Sequence, residues 1–203
     1  DDRRRVVVPA VGQRQAGQSC RGALEDASLT AERIGYLDAF AAGFSPLDAA
    51  EINGLAQVYR GAVSDFTCAL GSSQALDGFL PSLSGVTGLV RASLCLSNRL
   101  IPPIPDWSGP KKADLFAAAP FYVAQEPRAW FQPAASGSRH AAVNVLGWDG
   151  SCLHLVLSAE PGSDSASSQA ISQPSTHLFP LAANSLAHLI DQLAALKDRA
   201  VAD

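Results

Sequence analysis

Apolar and polar positions fall into blocks whose periods change repeatedly along the chain. Residues 4–11, "RRVVVPAV", form a β-branched run closed by Gly12 and predict a strand. In "GQSCRGALEDASLTAER" the apolar positions around Ala23, Leu24 and Ala27 have helical spacing, and "IGYLDAF", 34–40, predicts a second strand. "SPLDAAEINGLAQVYR" opens as a helix should, with Ser45 placed to cap, Pro46 in the first turn, and Asp48 and Glu51 toward the positive end. "DFTCALGSS" predicts a third strand running into a Gly/Ser turn. Small and aliphatic residues then fill "PSLSGVTGLVRASLCLSNR", a long helix expected to be buried on most sides. The prolines of "RLIPPIPDW" require an extended path. "HAAVNVLGWDGSCLHLVLSAE" predicts two strands around a glycine-containing turn.

These blocks predict an α/β fold with a partly parallel sheet closed by an antiparallel pair. Residues 161–176 are mostly Ser, Gln, Ala and Gly and mark a flexible connector. Beyond it, Leu186, Leu189, Leu193 and Leu196 make one stripe of a terminal helix. The expected organisation is therefore 1–160, a connector at 161–176, and a separate unit at 177–203.

Composition narrows the classes. Apolar residues make up 47% and charged residues 17% of the 203, as in a well-buried globular protein. A net charge of -4 argues against a nucleic-acid surface, and Arg3, Arg4 and Arg5 are too few to reverse it. No apolar run is long enough for a membrane span, and "DDRRR" is a poor start for a signal peptide. The four cysteines are far apart, with no C-x-x-C pair, and read as buried small hydrophobes of a cytoplasmic protein. The chain contains no methionine, so a piece of a longer polypeptide is expected.

Several segments, in order, resemble the carboxyl-terminal half of a β-ketoacyl synthase of the thiolase superfamily. "GALEDASLTAERIGYLDAFAAGFSPLDAAE" is similar to the helix, strand and loop that present a catalytic histidine and a T-G-T-x-x-G-D turn. "ALGSSQALDGFLPSLSGVTGLVRASLCL" is similar to the segment bearing a lysine and a second histidine. "NRLIPPIPDW", "FYVAQEPRAW" and "RHAAVNVLGWDGSCLHLVL" match the proline-rich strand, the segment after it and the closing glycine-loop hairpin. The resemblance implies a thiolase-like fold over about residues 1–160, half of a layered αβαβα architecture. "LFPLAANSLAHLIDQLAAL" is similar to the linker that follows ketosynthase domains in megasynthases. The wording of "LIPPIPDWSGPKKADLF" looks most like polyunsaturated fatty acid synthases and related iterative polyketide systems.

Set against that pattern, the chemistry is missing. A condensing synthase holds its acyl chain on a cysteine and uses two histidines to donate hydrogen bonds to an enolate oxygen. A phenyl ring has no proton to donate. Phe40 stands at the first histidine's place, Phe79 at the second's and Gln74 at the lysine's. Gly147, Trp148, Asp149 and Gly150 replace the slim gating loop with bulk and charge; Asp149 is open to a functional or a structural reading.

The resemblance therefore implies no catalytic residue within this chain and no directly bound cofactor. It implies a chain-length-factor type of domain that shapes an acyl tunnel. The implied partners are an active ketosynthase in a heterodimer, the amino-terminal half of the same domain, and an acyl carrier protein with its phosphopantetheine. An acyltransferase or malonyl decarboxylase working through residues of the other half is the alternative, and a docking module built on the terminal helix is a third. Asp48, Glu51 and His154 are expected to be structural, and His140, His177 and His188 solvated.

Overall fold

The computed structural model describes residues 2–60, 68–110, 116, 119–131, 137–147, 149–159 and 181–202, with backbone alone at 2–12 and 198–202. The chain divides into two units, Asp1–Ser167 and Ser168–Asp203, and the boundary lies outside the described residues.

The first unit is built on a five-stranded sheet in the order β4-β2-β1-β6-β7. These strands are β1 (Ile34–Asp38), β2 (Cys68–Gly71), β4 (Phe121–Tyr122), β6 (His140–Leu146) and β7 (Cys152–Ser158). β2, β4 and β6 join β1 in a parallel array, and β7 closes it antiparallel to β6. Two short strands, β3 (Leu100–Ile101) and β5 (Arg128–Ala129), form a separate antiparallel pair. The expected mixed α/β sheet is present, with the final hairpin in the expected place.

Alternation along the strands sends successive residues to opposite faces. Leu37, Leu70 and Ala142 face helices α1 (Asp2–Asp26) and α2 (Ser45–Tyr59), in a core with Cys20, Leu24, Leu55, Tyr59 and Phe121. Tyr36, Ala69, Ala141 and Val143 face helix α4 (Ser84–Asn98), with Ala92, Cys95, Leu96, Ile101 and Trp130. The short helix α3 (Gln74–Asp77) precedes α4.

Four expectations change. The run "RRVVVPAV" is helix, part of α1, and not a strand. Strand propensity is a weak prior, and Ala16, Cys20 and Leu24 downstream form a buried stripe of the same helix. There α1 approaches α2 closely, because Gly17 meets the Gly54 backbone with nothing between. Ser45 does not cap α2: Phe44 is the cap residue, without a side-chain bond, and Ser45 is the first helical position.

Helix α4 is not buried on most sides. Ser84, Gly88, Arg91, Ala92, Cys95 and Leu96 lie against the sheet, while Val86, Leu89, Val90 and Leu94 are exposed. His140 is buried rather than solvated, its Nδ1 bonded to Ser158 Oγ at 2.8 Å. His188 is exposed as expected, and His177 lies outside the described residues.

The second unit contains α5 (Leu186–Ala202), capped by Ser185 Oγ, which accepts from the His188 amide at 3.2 Å. Leu186 and Leu193 of its stripe are exposed. Among the described residues no helix is long and apolar enough to cross a membrane.

Candidate functional site: two phenyl rings at the strand ends

Parallel β1 and β2 end side by side, so the loops leaving their carboxyl ends meet. The β1 loop delivers Phe40, and the segment after β2 delivers Gln74 and Phe79. The three positions singled out in the sequence are thus brought together. The rings of Phe40 and Phe79 meet edge to face, 6.2 Å between centroids at 75°. Phe40 is buried and Phe79 half exposed. Gln74, buried at the start of α3, donates Nε2 to the Phe40 carbonyl at 2.6 Å.

Below the rings lies a buried polar frame. Glu51, in α2, is fully buried. Its Oε1 accepts the Phe40 amide at 2.8 Å and Asn144 Nδ2 at 2.6 Å, and its Oε2 accepts the Ala41 amide at 3.0 Å. Burial pushes the Glu51 carboxyl up to about 7 against the pull of those donors. Asn144 carries the network on. Because Nδ2 faces Glu51, Oδ1 is left to His154 Nδ1 at 3.2 Å and Cys152 Sγ at 3.4 Å. Ser19 Oγ donates to Cys152 at 3.1 Å. Burial holds His154 down at about 4, so the imidazole is neutral and structural, as expected.

A second cluster braces the ends of the strands. Asp38 accepts from Tyr36 Oη at 2.8 Å and from the Ser73 amide at 3.2 Å, with Arg91 Nε 3.8 Å away. Arg91 donates to the Ser72 carbonyl at 2.7 Å and the Pro103 carbonyl at 3.1 Å. Burial raises the Asp38 carboxyl above its ordinary range, opposed by these partners. Sequence reading passed over Tyr36, Asp38, Arg91 and Asn144. The available signals were a lone arginine in an otherwise small and aliphatic helix and a carboxylate ending a buried strand.

The turn between β6 and β7 is held by the Asp149 side chain. Asp149 Oδ1 accepts the Ser151 amide at 2.9 Å and hydroxyl at 2.6 Å, which hold this exposed carboxyl below its usual range. Gly147 and Gly150 close the turn by a backbone bond of 3.0 Å, with Gly150 at φ 85°. Trp148 lies outside the described residues. All four cysteines lie in helices or strands; Cys20, Cys68 and Cys95 are buried and Cys152 partly so, and burial raises every thiol, which suits packing and not nucleophilic attack.

Chemically, Phe40, Gln74 and Phe79 offer neither an imidazole nor an ammonium. The ionisable groups beneath them are engaged with the protein itself. The two phenyl rings have no proton to donate to an oxyanion, and the Gln74 amide donates to the Phe40 carbonyl.

The fold is that of thiolase-like ketosynthases, and the chain belongs to the family of β-ketoacyl synthase carboxyl-terminal domains. The family described as beta-ketoacyl synthase, C-terminal domain, matches residues 1–107. Polyketide synthase ThaG of Burkholderia thailandensis is 31% identical over 151 residues, 70% of this chain but 3% of that synthase. The chain therefore spans a small fraction of the curated relatives it matches. The solved ketosynthase from module 6 of the bacillaene synthase of Bacillus subtilis 168 is similar with a TM-score of 0.62 and 25% identity, over 89% of this chain and 30% of that one. The PfaC ketosynthase–chain length factor structure is similar with a TM-score of 0.64 and 23% identity, over 73% of this chain and 15% of that one.

Proposed function

We propose that this chain is the carboxyl-terminal part of a non-condensing, ketosynthase-like domain of the chain-length-factor type. It pairs with an active ketosynthase in a polyunsaturated fatty acid or polyketide synthase and contributes surface to the acyl tunnel. The observation that carries the proposal is the convergence of Phe40, Gln74 and Phe79 at one place, where both histidine places are phenyl and the Gln74 amide donates to the Phe40 carbonyl. Loss of one oxyanion donor typically lowers turnover by about 10²–10³, and here both histidine places are phenyl. The fold likeness to a protein titled as ketosynthase–chain length factor is compatible with this role. The growing chain would arrive on the phosphopantetheine of an acyl carrier protein, as a substrate and not a resident group.

The test is the intact synthase with the nucleophilic cysteine of the partner ketosynthase inactivated. Malonyl decarboxylation and condensation should both fall to background. Persistent turnover that depends on the domain carrying this chain would overturn the proposal in favour of an acyltransferase or decarboxylase working through the other half of the domain.

A further inference from the structure

We infer that a cavity beside the β1 loop, separate from the two rings, binds a neutral alkyl chain of about a dozen carbons. The choice of an alkyl chain rests on the chain-length reading above; the cavity itself does not.

The cavity has a volume of about 370 Å³ and is lined by Ala39, Ala41 and Gly43 of the loop after β1 and by Gly71 and Ser72 where β2 ends. None of Phe40, Gln74 and Phe79 lines it. Helix α2 and residues 104–110 supply the rest of its walls, with Phe116 and Val123. Its size is within the range of small-molecule sites. At roughly 30 Å³ for a water-sized group, there is room for about a dozen methylenes.

The lining is apolar and joined to the core. Leu70 is a core residue, and Ile52, Phe116 and Val123 pack against the same cluster while staying only half buried. The Trp107 and Phe116 rings stand together in the lining, 6.0 Å between centroids at 47°. Apolar surface left to water in a concave site is what a hydrophobic ligand covers with gain.

Charge narrows the ligand. Among the described residues the charged groups of the lining are Asp48, Glu51 and Asp106, all acidic. The Glu51 carboxylate is committed to the Phe40 and Ala41 amides and to Asn144. An anionic head group would be repelled by Asp48 and Asp106. A charge of either sign would also lose its water against the apolar walls. A neutral chain meets neither cost. The proposed function brings one such molecule, the acyl chain of a carrier thioester, and free long-chain alcohols share its chemistry.

The experiment photolabels the intact synthase with a diazirine-bearing decanol, displaces the label with alkanols from hexanol to tetradecanol, and maps the labelled peptides by mass spectrometry. Saturable labelling should fall on the peptides carrying Ile52 and Trp107. Displacement should strengthen with chain length up to dodecanol and then level off, and dodecanoate should displace more weakly than dodecanol. Ala49→Phe fills the cavity and should weaken displacement roughly tenfold, as about two methylenes lose their place. Ile52→Ala enlarges it and should carry the levelling point to tetradecanol. Should Ala49→Phe not accumulate, Val123→Phe fills the same space. Labelling elsewhere, no levelling, or variants that behave as wild type would overturn the inference. The acyl products of Ala49→Phe distinguish the sources: shorter products mark the carrier-borne chain as the occupant, and unchanged products with weakened displacement mark a free alkyl ligand. Unsaturable labelling, with turnover at background once the partner cysteine is inactivated, would remove the cavity and leave the chain-length reading standing.

Discussion

Replacing Glu51 by glutamine should expose a pH dependence of stability that the wild-type protein conceals. Burial lifts the Glu51 carboxyl from an ordinary 4.5 to about 7, so in this pH range the folded protein binds a proton that the unfolded chain has released. The stability tied to that proton is fully present below 4.5 and is lost as pH rises through 7. Between about pH 5 and pH 7.5 the change is about 2 kcal/mol. His154 works the other way. Its folded value is depressed from 6.5 to about 4, so its contribution is present above 6.5 and lost on acidification toward 4. Over the same interval that loss is again about 2 kcal/mol. Asp38, raised by burial, adds to the first trend, and His140, lowered by burial and by Arg33, adds to the second.

The wild-type domain, assembled with the rest of its ketosynthase, should therefore have nearly the same stability at both pH values. Glu51→Gln removes one arm of the balance. The variant should lose about 2 kcal/mol on acidification from about pH 7.5 to 5, in addition to about 1–3 kcal/mol at either pH for a donor left without an acceptor. Urea unfolding at the two pH values, followed by tryptophan fluorescence, measures both quantities. The same pH response in the two proteins would show that the three donors outweigh burial and that Glu51 is already ionised at the lower pH.

Ala41→Gly should stabilise the domain by about 1 kcal/mol in thermal unfolding, since glycine accepts the positive φ without penalty; a drop in Tm would show that the loop is not strained there. Gly88→Ala should destabilise it by about 1–3 kcal/mol, because a Cβ would meet Val143 Cγ1 at 2.7 Å and Asp38 Oδ1 at 3.0 Å. Retention of the wild-type denaturation midpoint would mean that α4 can shift off the sheet cheaply. The double variant Phe40→His, Phe79→His should remain inactive in a condensation assay, because Gln74 still fills the lysine's place; clear β-ketoacyl product would show that the two rings alone abolish the chemistry. Residues 1–203 expressed alone should aggregate or bind a hydrophobic dye, since Leu83, Val86, Val90 and Leu94 remain more than half exposed. A soluble monomer with one sharp unfolding transition would refute that.

Elements with a single consistent period were legible in the sequence. The β6–β7 hairpin, β1, α2 and the terminal helix all stand where their patterns put them. Phe40, Gln74 and Phe79 could be located from the resemblance, but their ring contact and the amide bond could not, because both depend on how two loops meet in space. The failures share a cause. Periodicity tells that a residue is apolar, and not which neighbour it will face. Val6, Val7 and Val8 favour strand locally, yet the helix fixed by Ala16, Cys20 and Leu24 runs through them. In α4 Val86, Leu89, Val90 and Leu94 are left open, while Ser84, Gly88 and Arg91 face the sheet beside Ala92 and Leu96. Arg91 is buried there because Asp38 and the Ser72 and Pro103 carbonyls surround it, partners that the sequence places far apart.

Under the proposed function, the same geometry explains how an active-site frame can persist without its chemistry. A buried polar side chain is constrained by the partners it would strand. Truncating Glu51 would orphan two amides and the Asn144 side chain, each at about 1–3 kcal/mol, against a total domain stability of about 5–15 kcal/mol. On the proposed reading, a side chain whose hydrogen-bonding partner would be the substrate is under no such constraint. Imidazole can give way to phenyl at positions 40 and 79 and leave no buried protein group without a partner. The rings even gain an edge-to-face contact, worth about 0.5–1.5 kcal/mol. Gln74 lies between the two cases: it stands where the family resemblance puts a lysine, and it holds the Phe40 carbonyl. Where a scaffold loses its reaction, the groups that bind only substrate are free to change first, and those that bind backbone remain.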